Sequence, residues 1–291
     1  MEVVMVRRSS PTVRSRELGA LLKQLRESRN LTATQVAEDV GLSAAVISRL
    51  ETAARTSPRS GPPNVRALCS YYHLDDQTTE RLVRLAKEAA QPGWWQRYSL
   101  ESPTATYLDL ESAAVFIETF EALVVPGLLQ TRNYADEVIR PVRTQFTAKQ
   151  LQETTEARLA RQQALTGEDP LRLHAVIDEA VLCRVFGDRD VMREQLRHIR
   201  QLAADLPNVT VQVLPFSASA SPGVDGTFAI LNFTEDFLPA VVYVEGQLGQ
   251  LFEDEPDEVK RVKNAFSGLV SLALDPERSL MVVDERIREL S

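Results

Sequence analysis

Cysteine and histidine are scarce in this chain. Two cysteines, Cys69 and Cys183, and three histidines, His73, His174 and His198, occur among 291 residues. The two thiols stand far apart, each among apolar neighbours, so core filling in a reducing compartment is their expected role rather than a disulfide. No two histidines have the spacing of a ligand pair, so neither a metal nor another cofactor is expected. No apolar run is long enough to span a bilayer, and the opening residues 1–8 lack a signal-peptide core. These absences predict a cytoplasmic protein that makes no membrane contact. A phosphate-binding loop is missing too. Ser221-Pro222-Gly223-Val224-Asp225-Gly226 holds two glycines but neither the lysine nor the following helix, and reads as a surface turn.

What is present is ordinary in amount and unusual in placement. Hydrophobic residues make up 44% and charged residues 25%, as in a soluble globular protein. The length suggests two domains. The net charge of −8 is unevenly divided. Residues 1–100 carry fifteen Lys and Arg against ten Asp and Glu, a balance of +5, and the remainder eighteen against thirty-one, a balance of −13. A basic third joined to an acidic remainder fits a nucleic-acid module attached to something else.

The basic third holds the most informative stretch, Leu31 to Glu51. Thr32-x-x-Gln35 has the form of a capping box, in which the Thr32 hydroxyl accepts from the Gln35 amide and the Gln35 side chain returns to Thr32. Val36, Ala37 and Val40 follow at helical spacing, and Gly41 stands where a left-handed residue stops a helix. Ser43 is placed to cap a second helix that buries Val46, Ile47 and Leu50 and exposes Ala44, Ala45, Ser48 and Arg49. Two short helices joined by a tight turn form the geometry that sets one helix into a DNA major groove.

Around this pair the pattern predicts a five-helix domain over residues 16–90. A first helix spans Arg16 to Ser28 with Leu18, Leu21, Leu22 and Leu25 inward. A fourth, Asn64 to Tyr72, buries Val65, Leu68, Cys69 and Tyr72. A fifth, Thr78 to Ala90, buries Leu82, Leu85, Ala86 and Ala89. Residues 1–15, with Arg7, Arg8 and Arg14, read as a flexible basic arm, either tracking DNA or simply solvated. Arg55 and Arg59, in the loop rich in Pro and Ser at 52–63, are placed to meet phosphates or only water. Residues 91–106 read as a linker bearing Trp94 and Trp95, a pair expected to wedge against the next domain or to stack on a ligand.

Residues 107–291 read as α+β. Leu110–Phe120, Thr131–Arg140, Ala148–Leu165, Arg189–Ala204 and Asp257–Ala273 have helical patterns. Arg172–Ile177, Val209–Phe216, Thr227–Phe233 and Ala240–Glu245 have the β-branched and aromatic content of strands. The expected architecture is an all-α helix-turn-helix domain followed by an α+β domain that binds an effector or a partner.

Several motifs carry a family resemblance. Residues 17–90 resemble the helix-turn-helix domain of the Cro and phage-repressor type, also called the xenobiotic-response-element (XRE) type. That resemblance implies an ion pair between Arg26 and Glu51. Gly93-Trp94-Trp95-x-Arg97-Tyr98, Leu128-Leu129-Gln130-Thr131-x-x-Tyr134-Ala135, Ala157-Arg158-x-x-Arg161-Gln162, Asn208 to Phe216 and Val242-Tyr243-Val244-Glu245-Gly246 resemble the domain that follows in many actinobacterial regulators, DUF5753. The resemblance implies a homodimeric transcription regulator on double-stranded DNA, cytoplasmic and associated with the nucleoid. It also implies a small protein of the DUF397 type as a partner.

The chain departs from the helix-turn-helix pattern where bases and phosphates are read. Ala33 stands where that family often has a phosphate-binding Gln, and Ala44 and Ala45 where it often has base-reading amides. Thr52-Ala53 replaces a common Asn-Gly pair. Alanine touches a thymine methyl but reads no donor or acceptor pattern, so base readout falls on Arg49 and Ser48. The expected DNA-facing set is Thr32, Thr34, Gln35, Ser43, Ala44, Ala45, Ser48, Arg49, Arg55 and Arg59.

In the acidic part, Trp94, Trp95, Gln130, Tyr134 and Glu245 are candidates for a ligand or a partner. Asp178-Glu179 would suit acid/base chemistry, but adjacent acids also simply begin helices. No enzyme is expected. The competing readings are a protein-interaction scaffold with weak DNA binding and, further off, an enzyme domain fused to a DNA module.

Overall fold

Pro11, at the head of the first helix, needs no N–H partner there and has its backbone already set for helix. In the computed structural model, which describes residues 11–52, 61–91, 102–142, 145–218, 221–234 and 239–291, α1 accordingly runs Pro11–Glu27. Its first turns are structural. Val13 is buried, and Arg14 pairs with Glu17 at 2.7 Å and Glu88 at 3.0 Å. Residues 11–15, expected as part of a flexible arm, instead belong to α1, because Arg14 binds protein carboxylates rather than solvent. Residues 1–10, with Arg7 and Arg8, lie outside the described residues, as do Arg55, Arg59, Trp94 and Trp95.

The chain divides into two compact units. In the first, α1 is followed by α2 (Ala33–Val40), α3 (Ala44–Glu51), α4 (Pro62–Tyr71) and α5 (Asp76–Ala89). One core collects Leu18 and Leu22, Val36 and Ala37, Val46, Ile47 and Leu50, Val65, Leu68 and Cys69, Tyr72, and Leu82, Leu85 and Ala86. Val83, absent from the predicted set, is buried as well, and Ala89 is only half-buried. Glu17 is 2% exposed and is satisfied by Arg14 and Arg81, which ties α1 to α5. Gly19 lets α1 approach α3 closely, since a Cβ there would fall 2.6 Å from the Glu51 carbonyl oxygen and 2.7 Å from that of Leu50.

The second unit is built on a six-stranded sheet in the order β3-β2-β1-β4-β5-β6. Its strands are β1 (Phe116–Glu121), β2 (Arg172–Asp178), β3 (Val209–Leu214), β4 (Phe228–Asn232), β5 (Val241–Gly246) and β6 (Gly249–Glu253). β1, β2 and β3 pair in parallel, and β4, β5 and β6 continue antiparallel from β1. The helices are α6 (Ser102–Ala113), α7 (Arg132–Val142), α8 (Ala148–Ala160), α9 (Glu179–Cys183), α10 (Arg189–Asp205), α11 (Pro256–Leu272) and α12 (Pro276–Glu289). A 3-10 turn, Gly127–Leu129, follows β1, and another, Arg161–Leu165, extends α8.

The expected helix Leu110–Phe120 is corrected here. It ends at Ala113, and residues 116–121 form the strand between β2 and β4. Ile117 and Phe120 are both buried although they lie on opposite faces. Phe120 joins Val176, Leu214, Ile230 and Val242 beneath Val259, Phe266 and Leu269 of α11. Ile117, Ala175, Ile177, Val211 and Val213 are buried on the other face. A strand covered on both faces loses the alternation that reveals it in sequence. The outer edge of β3 is closed by α12 and the turn before it. Val213 donates to Ser279 Oγ and accepts from the Leu274 amide, each at 2.9 Å. α6 also begins at Ser102, inside the segment read as linker.

Candidate functional site

The α2–turn–α3 segment forms as its chemistry directs. Thr32 Oγ1 accepts from the Gln35 amide at 3.2 Å, and Gln35 Oε1 accepts from the Thr32 amide at 2.9 Å, completing the capping box. Gly41 stops α2 with φ of 69°, the left-handed region that favours glycine. Ser43 occupies the cap position of α3, but its side chain makes no capping hydrogen bond. α3 buries Val46, Ile47 and Leu50. Ser43, Ala45 and Ser48 are exposed, whereas Ala44 is half-buried against the core, which narrows the outward face. Thr32, Thr34 and Gln35 are exposed at the start of α2.

Arg49 is half-buried at the flank of that face. Its Nε is buried without an acceptor among the described residues. Leaving a buried donor unmatched costs free energy. The C-terminal end of α3 is fixed differently. Arg26 donates Nε to Glu51 Oε1 at 2.7 Å and a terminal nitrogen to Oε2 at 2.8 Å, and gives a third bond to the Leu31 carbonyl at 2.8 Å. The hydrogen bonds to Glu51 raise the Arg26 pKa above its usual value. Nearby, burial pushes the Tyr72 hydroxyl up to about 12, and Arg29 lies 5.1 Å over its ring.

In the second unit the candidates separate. Tyr134 is fully buried, its hydroxyl accepting from the Val125 amide at 3.2 Å and its ring edge-on to Phe186. It is a core residue with no surface for a ligand, which corrects its expected role. Gln130 is also buried. It donates to the Val125 carbonyl at 2.7 Å and accepts from Arg158 at 2.9 Å. Glu245 is exposed, accepting from the Tyr243 hydroxyl at 3.0 Å and from Gln250 at 3.2 Å. Asp178 caps α9 through the Ala180 amide, and Glu179 accepts from the Phe216 amide, each at 2.8 Å. Asp178 thus begins a helix, and Glu179, in the first turn of α9, ties that helix to the segment after β3.

Beside Gln130 and Glu245 lie residues that the sequence reading did not single out, Tyr107, Glu111 and Glu121. Arg158 and Arg161 belong to the Ala157–Gln162 motif. Burial raises the Glu121 carboxyl to about 8 and lowers the Arg158 guanidinium to about 10. Burial pulls Arg161 down, but Glu111, Tyr107 and Tyr243 together outweigh it and raise Arg161. Burial, then Glu245, raises the Tyr243 hydroxyl. Glu121 escaped notice because its strand was read as helix. The signal was the run Val115-Phe116-Ile117, which favours strand.

A DNA-binding helix-turn-helix module followed by a mixed α/β domain is the class of a DNA-binding regulator. Comparison with protein families agrees: residues 17–82 match a helix-turn-helix domain, and residues 104–285 match a domain of unknown function, DUF5753. The chain belongs to the DUF5753 family. No curated protein and no solved structure matches it. No described helix is long and apolar enough to cross a membrane.

Proposed function

We propose that this protein is a sequence-specific transcriptional regulator of the XRE type that binds double-stranded DNA as a homodimer, with α3 in the major groove. Such modules read few base pairs each, and two-fold pairing on spaced half-sites supplies the remainder. The observation that carries the reading is the open face of α3, with Ala45 and Ser48 exposed and Arg49 Nε without an acceptor among the described residues. The second unit receives the signal, either a small molecule or a small protein of the DUF397 type, and performs no catalysis. The structural duties of Asp178 and Glu179 support that last point. The protein works in the cytoplasm, at the nucleoid.

The test is fluorescence anisotropy of the full chain on promoter fragments across salt concentrations, with a competitor of scrambled sequence. Affinity falls as salt rises, because phosphate contacts release counterions. Arg49→Ala reduces discrimination by about 1–3 kcal/mol if Arg49 reads a guanine edge. Binding without salt dependence, or full preference retained by Arg49→Ala, refutes the reading and favours a scaffold.

A further inference from the structure

The second unit gathers polar groups that its own side chains leave unmatched. Its sheet grows in both directions from β1, with β2 and β3 on one side and β4, β5 and β6 on the other. In open α/β sheets, the crevice outside the carboxyl end of a strand at such a switch is where ligands bind. Glu121 is the last residue of β1. It shares a sheet face with Thr119, and the register carries that face through Ala229 and Tyr243 to Phe252. Two residues beyond Tyr243, Glu245 stands opposite Gln250. Side chains alternate with a period of two, so Glu121, Glu245 and Gln250 lie on one face.

α6 and α8 bring further groups to that face. Tyr107 packs on Tyr243 with ring centres 4.3 Å apart, and Arg161 lies 5.1 Å over Tyr107. Arg161 and Glu111 satisfy one another through two bonds of 2.7 and 2.6 Å. Glu245 takes one bond from the Tyr243 hydroxyl and one from Gln250, which leaves room on both its oxygens, and the remaining members are less well matched. Glu121 has the Thr119 hydroxyl at 3.5 Å, but that single proton has a better acceptor in the Phe228 carbonyl at 3.0 Å. Gln250 Oε1 is buried without a donor. Arg158 gives one N–H to Gln130 and makes no ion pair among the described residues. Acceptors with spare capacity thus line the sheet side, and a guanidinium without an ion-pair partner among the described residues lies on the helix side. Holding such groups out of water is unfavourable until something pairs them.

We propose that this crevice binds a small amino-carboxylate, whose ammonium donates to Glu121, Glu245 and Gln250 and whose carboxylate takes the open fork of Arg158. The inference rests on the second unit being the signal-receiving domain, and it specifies the chemistry of the signal. Arg158, Arg161 and Glu245 are the charges felt by Glu121, and burial holds its carboxyl protonated near neutral pH. An ammonium displaces that proton, so binding releases it to the buffer.

Isothermal titration calorimetry of the full chain without DNA tests this, with the twenty standard amino acids and 4-aminobutyrate as probes. At least one probe binds, and its analogues lacking the amine or the carboxylate bind at least about tenfold more weakly, a loss of ~1.4 kcal/mol. Glu121→Gln and Arg158→Met each weaken binding by a similar factor. Glu121→Gln also removes the dependence of the heat on buffer ionisation, a readout that loss of packing would not produce. Gln250→Leu, at the sheet edge, weakens binding severalfold and supplies a variant outside the helical layer. If no probe binds, if one-pole analogues bind equally, or if folded variants keep full affinity, the proposal is overturned. That outcome leaves a protein signal standing. A bound probe that leaves DNA affinity unchanged instead removes the sensor reading while keeping the site.

Discussion

The pairing of Arg26 with Glu51 predicts an asymmetric loss when either partner is removed. Arg26 is 13% exposed and Glu51 8%, and two short parallel hydrogen bonds join them. Breaking a buried pair by removing one partner costs about 3–5 kcal/mol, because the survivor keeps its desolvation without compensation. The pair borders water, so the lower end applies. Glu51→Ala leaves Arg26 its bond to the Leu31 carbonyl and a longer contact of 3.5 Å with the exposed Glu27. Arg26→Ala leaves a carboxylate without its guanidinium at the C-terminal end of α3, where the helix dipole also opposes negative charge. Arg26→Ala is therefore expected to cost about 3 kcal/mol, and Glu51→Ala less than that, because the surviving guanidinium keeps other acceptors.

The double variant Arg26→Met/Glu51→Leu replaces the pair with apolar groups and strands no charge, so it falls well short of the sum of the single losses. Hydrogen exchange of α1 and α3 peptides in the full chain, over a urea series, reads this unit separately from the other. Single variants within about 0.5 kcal/mol of the parent, or a strictly additive double, would refute the argument.

Three further outcomes follow from other contacts. Gly19→Ala gains about 1 kcal/mol of helix propensity but sets a methyl against two carbonyl oxygens that cannot turn aside. Overpacking of this kind costs about 1–3 kcal/mol, so the first unit melts earlier, and a raised melting temperature would contradict the close approach. Ser279→Ala strands the Val213 amide at the edge of β3 and lowers the stability of the second unit by about 1–3 kcal/mol, measured by urea unfolding. For Glu121, the folded pKa of about 8 lies above the ordinary 4.5. The folded state therefore holds a proton that the unfolded chain has lost, and stability falls as pH rises through that window. Glu121→Gln flattens the fall, and a pH–stability curve unchanged by the variant would count against a buried carboxyl there.

The first unit was legible in the sequence because local chemistry and global packing agree in it. Thr32, Gln35 and Gly41 each specify a backbone state within a few residues, and the apolar triplets of α2 and α3 have a single buried side. The second unit was legible only in its outer parts. β2, β3, β4 and β5 showed through their β-branched runs. β6 and α12 were not anticipated. β1, the strand on which the sheet pivots, was mistaken for helix because burial on both faces erased its period.

The unanticipated residues follow from the same cause. Arg161 lies 50 residues from Glu111 and 40 from Glu121, the three stand on different elements, and what joins them is the register of strands and the crossing of helices. No spacing rule reports such a set. What the chain does show is imbalance, an acidic excess in the second unit with a few guanidinium groups inside it. A carboxyl and a guanidinium left apart in one crevice amount to an energetic debt that a bound partner of both charges removes, and a domain more stable when occupied is a domain able to sense occupancy.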